Sequence, residues 1–82
     1  MRTYILYAKI NFVREVTKMH KTLFVERKDK GVTQKEVAEA IGMKLSTYGR
    51  KERGEQQFDL QEAAKISRFL KIPIDILFPE FF

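Results

Sequence analysis

Ser46, Arg50 and Arg53 stand four and three residues apart in the stretch Leu45 to Arg53. On a helix, where successive residues turn by about 100°, they share one face with Leu45 and Gly49, while Tyr48 and Glu52 fall on the opposite one. The first face carries a hydroxyl, guanidinium groups and no bulky apolar cluster, so its chemistry is polar contact with a partner rich in acceptor oxygens. A net charge of +5 agrees with a polyanionic partner. Covalent and metal chemistry have little to work with. The chain has no cysteine and a single histidine, which excludes disulfides and thiolate sites and leaves too few ligands for an ordinary zinc site. His20 is expected on an exposed helix surface with no role. Glu36 with Glu39, and Glu52 with Asp59, are carboxylates without a histidine or phosphate-cradling loop beside them, and helix capping accounts better for Glu36 and Asp59. No enzymatic activity, cofactor, metal or small-molecule ligand is expected.

The polar face needs elements to hold it, and the flanking sequence supplies them. Thr33 and Glu36 have capping-box spacing, so a helix begins at about Gln34 with Val37, Ala38 and Ile41 as its inward stripe. Gly42 permits a tight left-handed exit, and the next helix runs from about Leu45 to Arg53. Upstream, His20 to Lys30 reads as a helix with Leu23 and Phe24 as apolar surface and Gly31 as its stop. Downstream, Asp59 and Glu62 repeat the capping-box spacing and start a fourth helix, with Ala63, Ile66, Phe69 and Leu70 assigned to the core. Pro73 suits the opening of a short fifth helix whose Ile74, Leu77 and Phe78 close the core. Phe78, Phe81 and Phe82 are expected to cover this core or a partner subunit. Two short amphipathic helices joined at Gly42 form a helix-turn-helix pattern within an all-α domain.

Eighty-two residues make one domain with a modest core. The N-terminal segment, Arg2 to Lys18, fits a helical spacing but is also rich in strand formers, and helix is favoured. We divide the chain into an extension over residues 1–18, an extra helix or dimer contact, and a domain over residues 19–82, with Met19 as a candidate original start. Tyr4, Tyr7 and Phe12 are expected to bury against the core or a second subunit rather than stack on bases. Lys9, Asn11, Arg14 and Glu15 interrupt the apolar run, which argues against a targeting segment or a membrane span. A cytoplasmic protein is expected.

Gly31-Val32-Thr33-Gln34, Ala38, Gly42, Ser46-Thr47 and Glu52-Arg53-Gly54, followed by Leu70-Lys-Ile-Pro-Ile-Asp-Ile-Leu-Phe78, resemble the motifs of the Cro/C1-type helix-turn-helix regulators, the XRE family. The resemblance runs from Leu23 to Phe78 without a gap. It implies a five-helix lambda-repressor-like DNA-binding domain, here with an extra N-terminal segment. It implies a transcriptional regulator, a repressor by default and of bacterial or phage origin, that binds double-stranded DNA as a homodimer with the helix at 45–53 in the major groove. By this resemblance Gln34 bonds a phosphate at a helix N-terminus, a position that also suits an anion physically. Lys44, Leu45, Ser46 and Arg50 match positions facing base edges or nearby phosphates, with Arg50 able to pair bidentately with guanine. Thr47 and Arg53 match positions near the DNA backbone. Tyr48 matches a core residue, and Arg27 with Glu52 matches a partly buried ion pair.

Three features depart from the pattern. Lys44 replaces the usual serine or threonine N-cap, Gly49 sits inside the recognition helix, and the loop Glu55-Gln56-Gln57 lacks a basic residue. Gly49 is compatible with close approach to DNA or with a tolerated defect, and the loop implies fewer phosphate contacts. A protein-interaction module on the same fold, an adaptor or antagonist of another regulator without a specific DNA site, is the alternative function.

Overall fold

Two capping boxes fix where helices start. The Glu36 backbone N–H donates to Thr33 Oγ1 at 3.1 Å, and the Thr33 N–H donates to Glu36 Oε1 at 2.8 Å. Asp59 and Glu62 repeat the exchange, at 2.7 Å to Asp59 Oδ1 and 3.0 Å to Glu62 Oε1. Each box satisfies amide donors that a helix start otherwise leaves without partners.

The computed structural model describes residues 20–82. The expectations for residues 1–18 and for Met19 lie outside them. In chain order the helices are α1 (Lys21–Asp29), α2 (Gln34–Ile41), α3 (Leu45–Glu52), α4 (Leu60–Leu70) and α5 (Ile74–Leu77), followed by a 3-10 turn, Pro79–Phe81. No strand occurs among the described residues, and none of their helices is long and apolar enough to cross a membrane. The fold is all-α, as the sequence pattern implied.

Helix ends follow from local chemistry too. Gly31 has φ of +69° and Gly42 +72°. After each, the chain folds back so that Val32 N–H donates to the Arg27 carbonyl at 3.1 Å and Met43 N–H to the Ala38 carbonyl at 2.8 Å. This paired closure caps carbonyls at the helix end and needs a left-handed residue, which glycine adopts without a Cβ clash. Lys71 makes the same turn after α4 at φ of +60°, without that freedom.

The core takes Leu23 from α1, Val37, Ala38 and Ile41 from α2, and Tyr48 from α3. Phe58, Ala63, Ile66, Leu70, Leu77 and Phe78 complete it. Phe69, assigned to this core from sequence, is instead 42% exposed. The helix wheel explains the correction: Ala63, Ile66 and Leu70 span about 60°, and Phe69 lies about 60° further round. The terminal aromatics divide. Phe78 is buried and stacks on half-buried Phe81 at 5.5 Å between centroids, whereas Phe82 is exposed.

His20 is a second correction, because its surface is only 5% exposed. Its backbone N–H donates to the Glu52 carbonyl at 2.9 Å, which draws the start of α1 against the end of α3. The ring therefore turns under the aromatic cluster, edge-on to Phe58 and Phe78 at 5.1 and 5.5 Å, and its Nδ1 pairs with the Glu80 carboxylate.

Candidate nucleic-acid interface

Glu52, at the last turn of α3, is the hub that fixes α3 relative to α1 and α2. Its carboxylate accepts from Arg27 Nε at 2.9 Å, Arg27 Nη2 at 3.0 Å, Tyr48 Oη at 2.7 Å and Gln34 Nε2 at 2.9 Å. A carboxylate has about four lone-pair directions, and here donors from three helices use them. The remaining Arg27 amino group donates to the Val32 carbonyl at 2.8 Å and so also braces the α1–α2 turn. No buried side-chain nitrogen or oxygen among the described residues lacks a hydrogen-bond partner.

This network sets its own ionisation. Burial works against a charged Glu52, but the bonds from Arg27, Tyr48 and Gln34 outweigh it and hold the carboxyl below the usual range. Burial likewise opposes the charge on Arg27, and the hydrogen bonds and charge of Glu52 more than restore it, so its pKa is raised. Tyr48 is pushed up, first by burial and then by the adjacent Glu52 charge, and stays a neutral donor.

The outward surface of α3 follows from that anchoring. Tyr48, Gly49 and Glu52 are buried against the body of the domain, which leaves Ser46, Arg50 and Arg53 exposed and Thr47 half-buried at the edge. Gly49 is thus on the inner side, not on the polar face where an even wheel placed it. A Cβ there would stand 3.6 Å from Gln34 Oε1, an ordinary contact, and 3.2 Å from Arg53 Nη1, so it would crowd only the flexible tip of the Arg53 side chain. Lys44 and Leu45 are exposed at the start of α3, and Lys44 is its N-cap without a side-chain cap bond. Among the described residues, neither Lys44 nor Arg50 enters an ion pair.

Two of the sequence-selected residues are already engaged. Gln34, half-buried at the first turn of α2, gives one amide hydrogen to Glu52 and keeps a second donor. Arg53 Nε bonds the exposed Glu55 at 2.7 Å, so the acidic residue in the following loop partly offsets its charge. That contact, followed by the nearby charge, raises the Arg53 pKa, and bonding to Arg53 lowers that of Glu55.

Sequence reading missed two features. An open groove of about 510 Å³ runs past the N-terminus of α2, lined by Arg27, Lys28, Gly31, Val32, Thr33, Gln34, Lys35 and Leu45. Lys28 and Lys35 flank the helix start, where backbone amides already favour an anion; a lysine on either side of a candidate phosphate-binding helix start was the available signal. The second feature is Lys51, whose Nζ lies 2.7 and 2.9 Å from the two Glu62 carboxylate oxygens and ties α3 to α4. Only the fold brings these residues together.

A helix pair braced in this way, with a polar outer surface and a cationic groove beside it, is the arrangement of a DNA-binding helix-turn-helix. The sequence pattern of the Helix-turn-helix family matches residues 25–77, and the chain belongs to that family in its Cro/C1-type branch. Comparison with curated proteins gives no match.

Proposed function

We propose that the protein is a sequence-specific regulator that binds double-stranded DNA through α3 in the major groove, and that it represses by occupying an operator. The observation that carries this reading is the outward set Lys44, Ser46 and Arg50, on a helix whose opposite side is locked to α1 and α2 through Glu52. Arg50 supplies a guanidinium fork for guanine, Ser46 a short hydroxyl, and Thr47 an edge contact to the DNA backbone. Gln34, with its second amide hydrogen, Lys28 and Lys35 take phosphates at the N-terminus of α2, and Arg53 a phosphate beyond the end of α3.

One α3 covers a few base pairs, so operator recognition calls for a homodimer on two half-sites about 34 Å apart. Apolar side chains are available for a second copy: Phe69, Ile76 and Phe82 are 42, 50 and 72% exposed.

Substitution tests the reading. Arg50→Ala combined with Ser46→Ala is expected to abolish preference for a selected duplex while leaving the melting midpoint unchanged, since both side chains are exposed. Undiminished preference would contradict the role of α3 in base readout, whereas no duplex preferred over scrambled DNA by the unsubstituted chain would favour the protein-interaction alternative.

A further inference from the structure

Leu45 is the one large apolar side chain exposed on α3, at 48%. It is the first residue of the helix, and it lines the groove beside Gln34 and Lys35 at the start of α2. In a helix-turn-helix, the N-terminal residues of the second helix reach base edges. The major groove offers one apolar group on those edges, the 5-methyl of thymine. A leucine facing the wet edge of a guanine or cytosine would desolvate donors and acceptors without replacing their bonds, whereas the methyl takes the same contact at no polar cost. Nearby Lys35, together with the N-terminus of α2, would keep the phosphates of that strand close enough for the contact to form.

We infer that Leu45 is a specificity-determining residue that reads the 5-methyl group of one thymine in each half-site. This rests on the DNA-binding reading above. Arg50 and Ser46 then select by hydrogen bonding, and Leu45 selects by excluding water from a methyl group.

Methyl deletion tests it. With a duplex selected for tight binding by the full chain, each thymine is replaced in turn by deoxyuridine, which removes the methyl and leaves the pairing edge intact. One position per half-site is expected to lose about fourfold in affinity, the effect of one methyl removed from an apolar contact. Leu45→Ala should bind the unmodified duplex more weakly and show no further loss at that position, with its melting midpoint near that of the unsubstituted chain. If every deoxyuridine duplex binds as well as its parent, or if Leu45→Ala keeps the full methyl effect, the assignment to Leu45 is overturned while sequence-specific binding stands. If no duplex is selected over scrambled DNA, the DNA-binding reading itself fails and takes this assignment with it.

Discussion

The Arg27 guanidinium meets the Glu52 carboxylate fork to fork, Nε to Oε2 at 2.9 Å and Nη2 to Oε1 at 3.0 Å, with side chains only 6 and 2% exposed. Two charges out of water hold together only when each is fully bonded, which is what Tyr48 and Gln34 complete on the carboxylate side. Glu52→Gln replaces the charge by an amide whose nitrogen would face donors. It is expected to cost about 3–5 kcal/mol, a large part of the stability of a small domain. Gln34→Ala leaves three donors on the carboxylate and should cost about 1–3 kcal/mol. Urea midpoints measure both, and an unchanged Glu52→Gln midpoint would mean that the pair does not brace the fold.

The same hub predicts a stability plateau with two edges. Glu52 is held below its ordinary value of 4.5 in the folded state, so its contribution is fully present above pH 4.5 and is lost as pH falls through the folded value. Tyr48 is raised above 10.0, so its contribution is fully present below pH 10.0 and is lost as pH rises beyond it. Melting midpoints across acid and alkaline buffers should be flat between these edges and drop outside them. Tyr48→Phe should soften the alkaline edge, at the expense of the bond to Glu52.

Lys44 sets stability against binding. As an N-cap without a side-chain bond, it leaves an amide at the start of α3 without the usual oxygen acceptor. Lys44→Ser should stabilise the domain by about 1 kcal/mol. By removing a cation from the DNA-facing side, it should also reduce the slope of log affinity against log salt by about 0.9. Melting and a salt titration on the same protein check both effects; a change in neither would remove Lys44 from both roles.

Lys71 is the non-glycine residue at positive φ among the described residues, φ +60° and ψ +42° at the end of α4. A lysine pays for that left-handed conformation with a clash of about 1 kcal/mol that glycine avoids. Lys71→Gly should raise the midpoint, by about 0.5–1 kcal/mol after allowing for the greater freedom of glycine in the unfolded chain. Lys71→Ala, which keeps the Cβ, should not.

What was legible in the sequence was whatever is decided within a few residues. The Thr33–Glu36 and Asp59–Glu62 boxes, and the glycine turns at 31 and 42, depend on backbone groups three or four positions away. All five helices could therefore be placed from spacing and capping. Less legible were the relations made by packing. A lone histidine outside any motif gave no sign that His20 would turn under Phe58 and Phe78. Periodicity placed Phe69 one step too near the core and Gly49 on the wrong side of α3, because the direction from which a helix is covered depends on its neighbours. The pairing of Lys51 with Glu62 was not legible either, because the two residues belong to different helices. The exposure of Arg50 and Ser46 on α3 was readable from the wheel; the engagement of Gln34 by Glu52 was not, since it spans α2 and α3.

Selection from random duplex DNA by the full chain, followed by affinities for the winning and scrambled duplexes at two salt concentrations, tests sequence-specific recognition most directly. Enrichment of a two-fold symmetric site with half-sites about 34 Å apart is expected, with discrimination that survives the higher salt because it comes from base contacts rather than phosphates. Equal, salt-sensitive affinity for winning and scrambled duplexes would contradict an operator-binding regulator and leave a basic helical domain that holds DNA by charge alone.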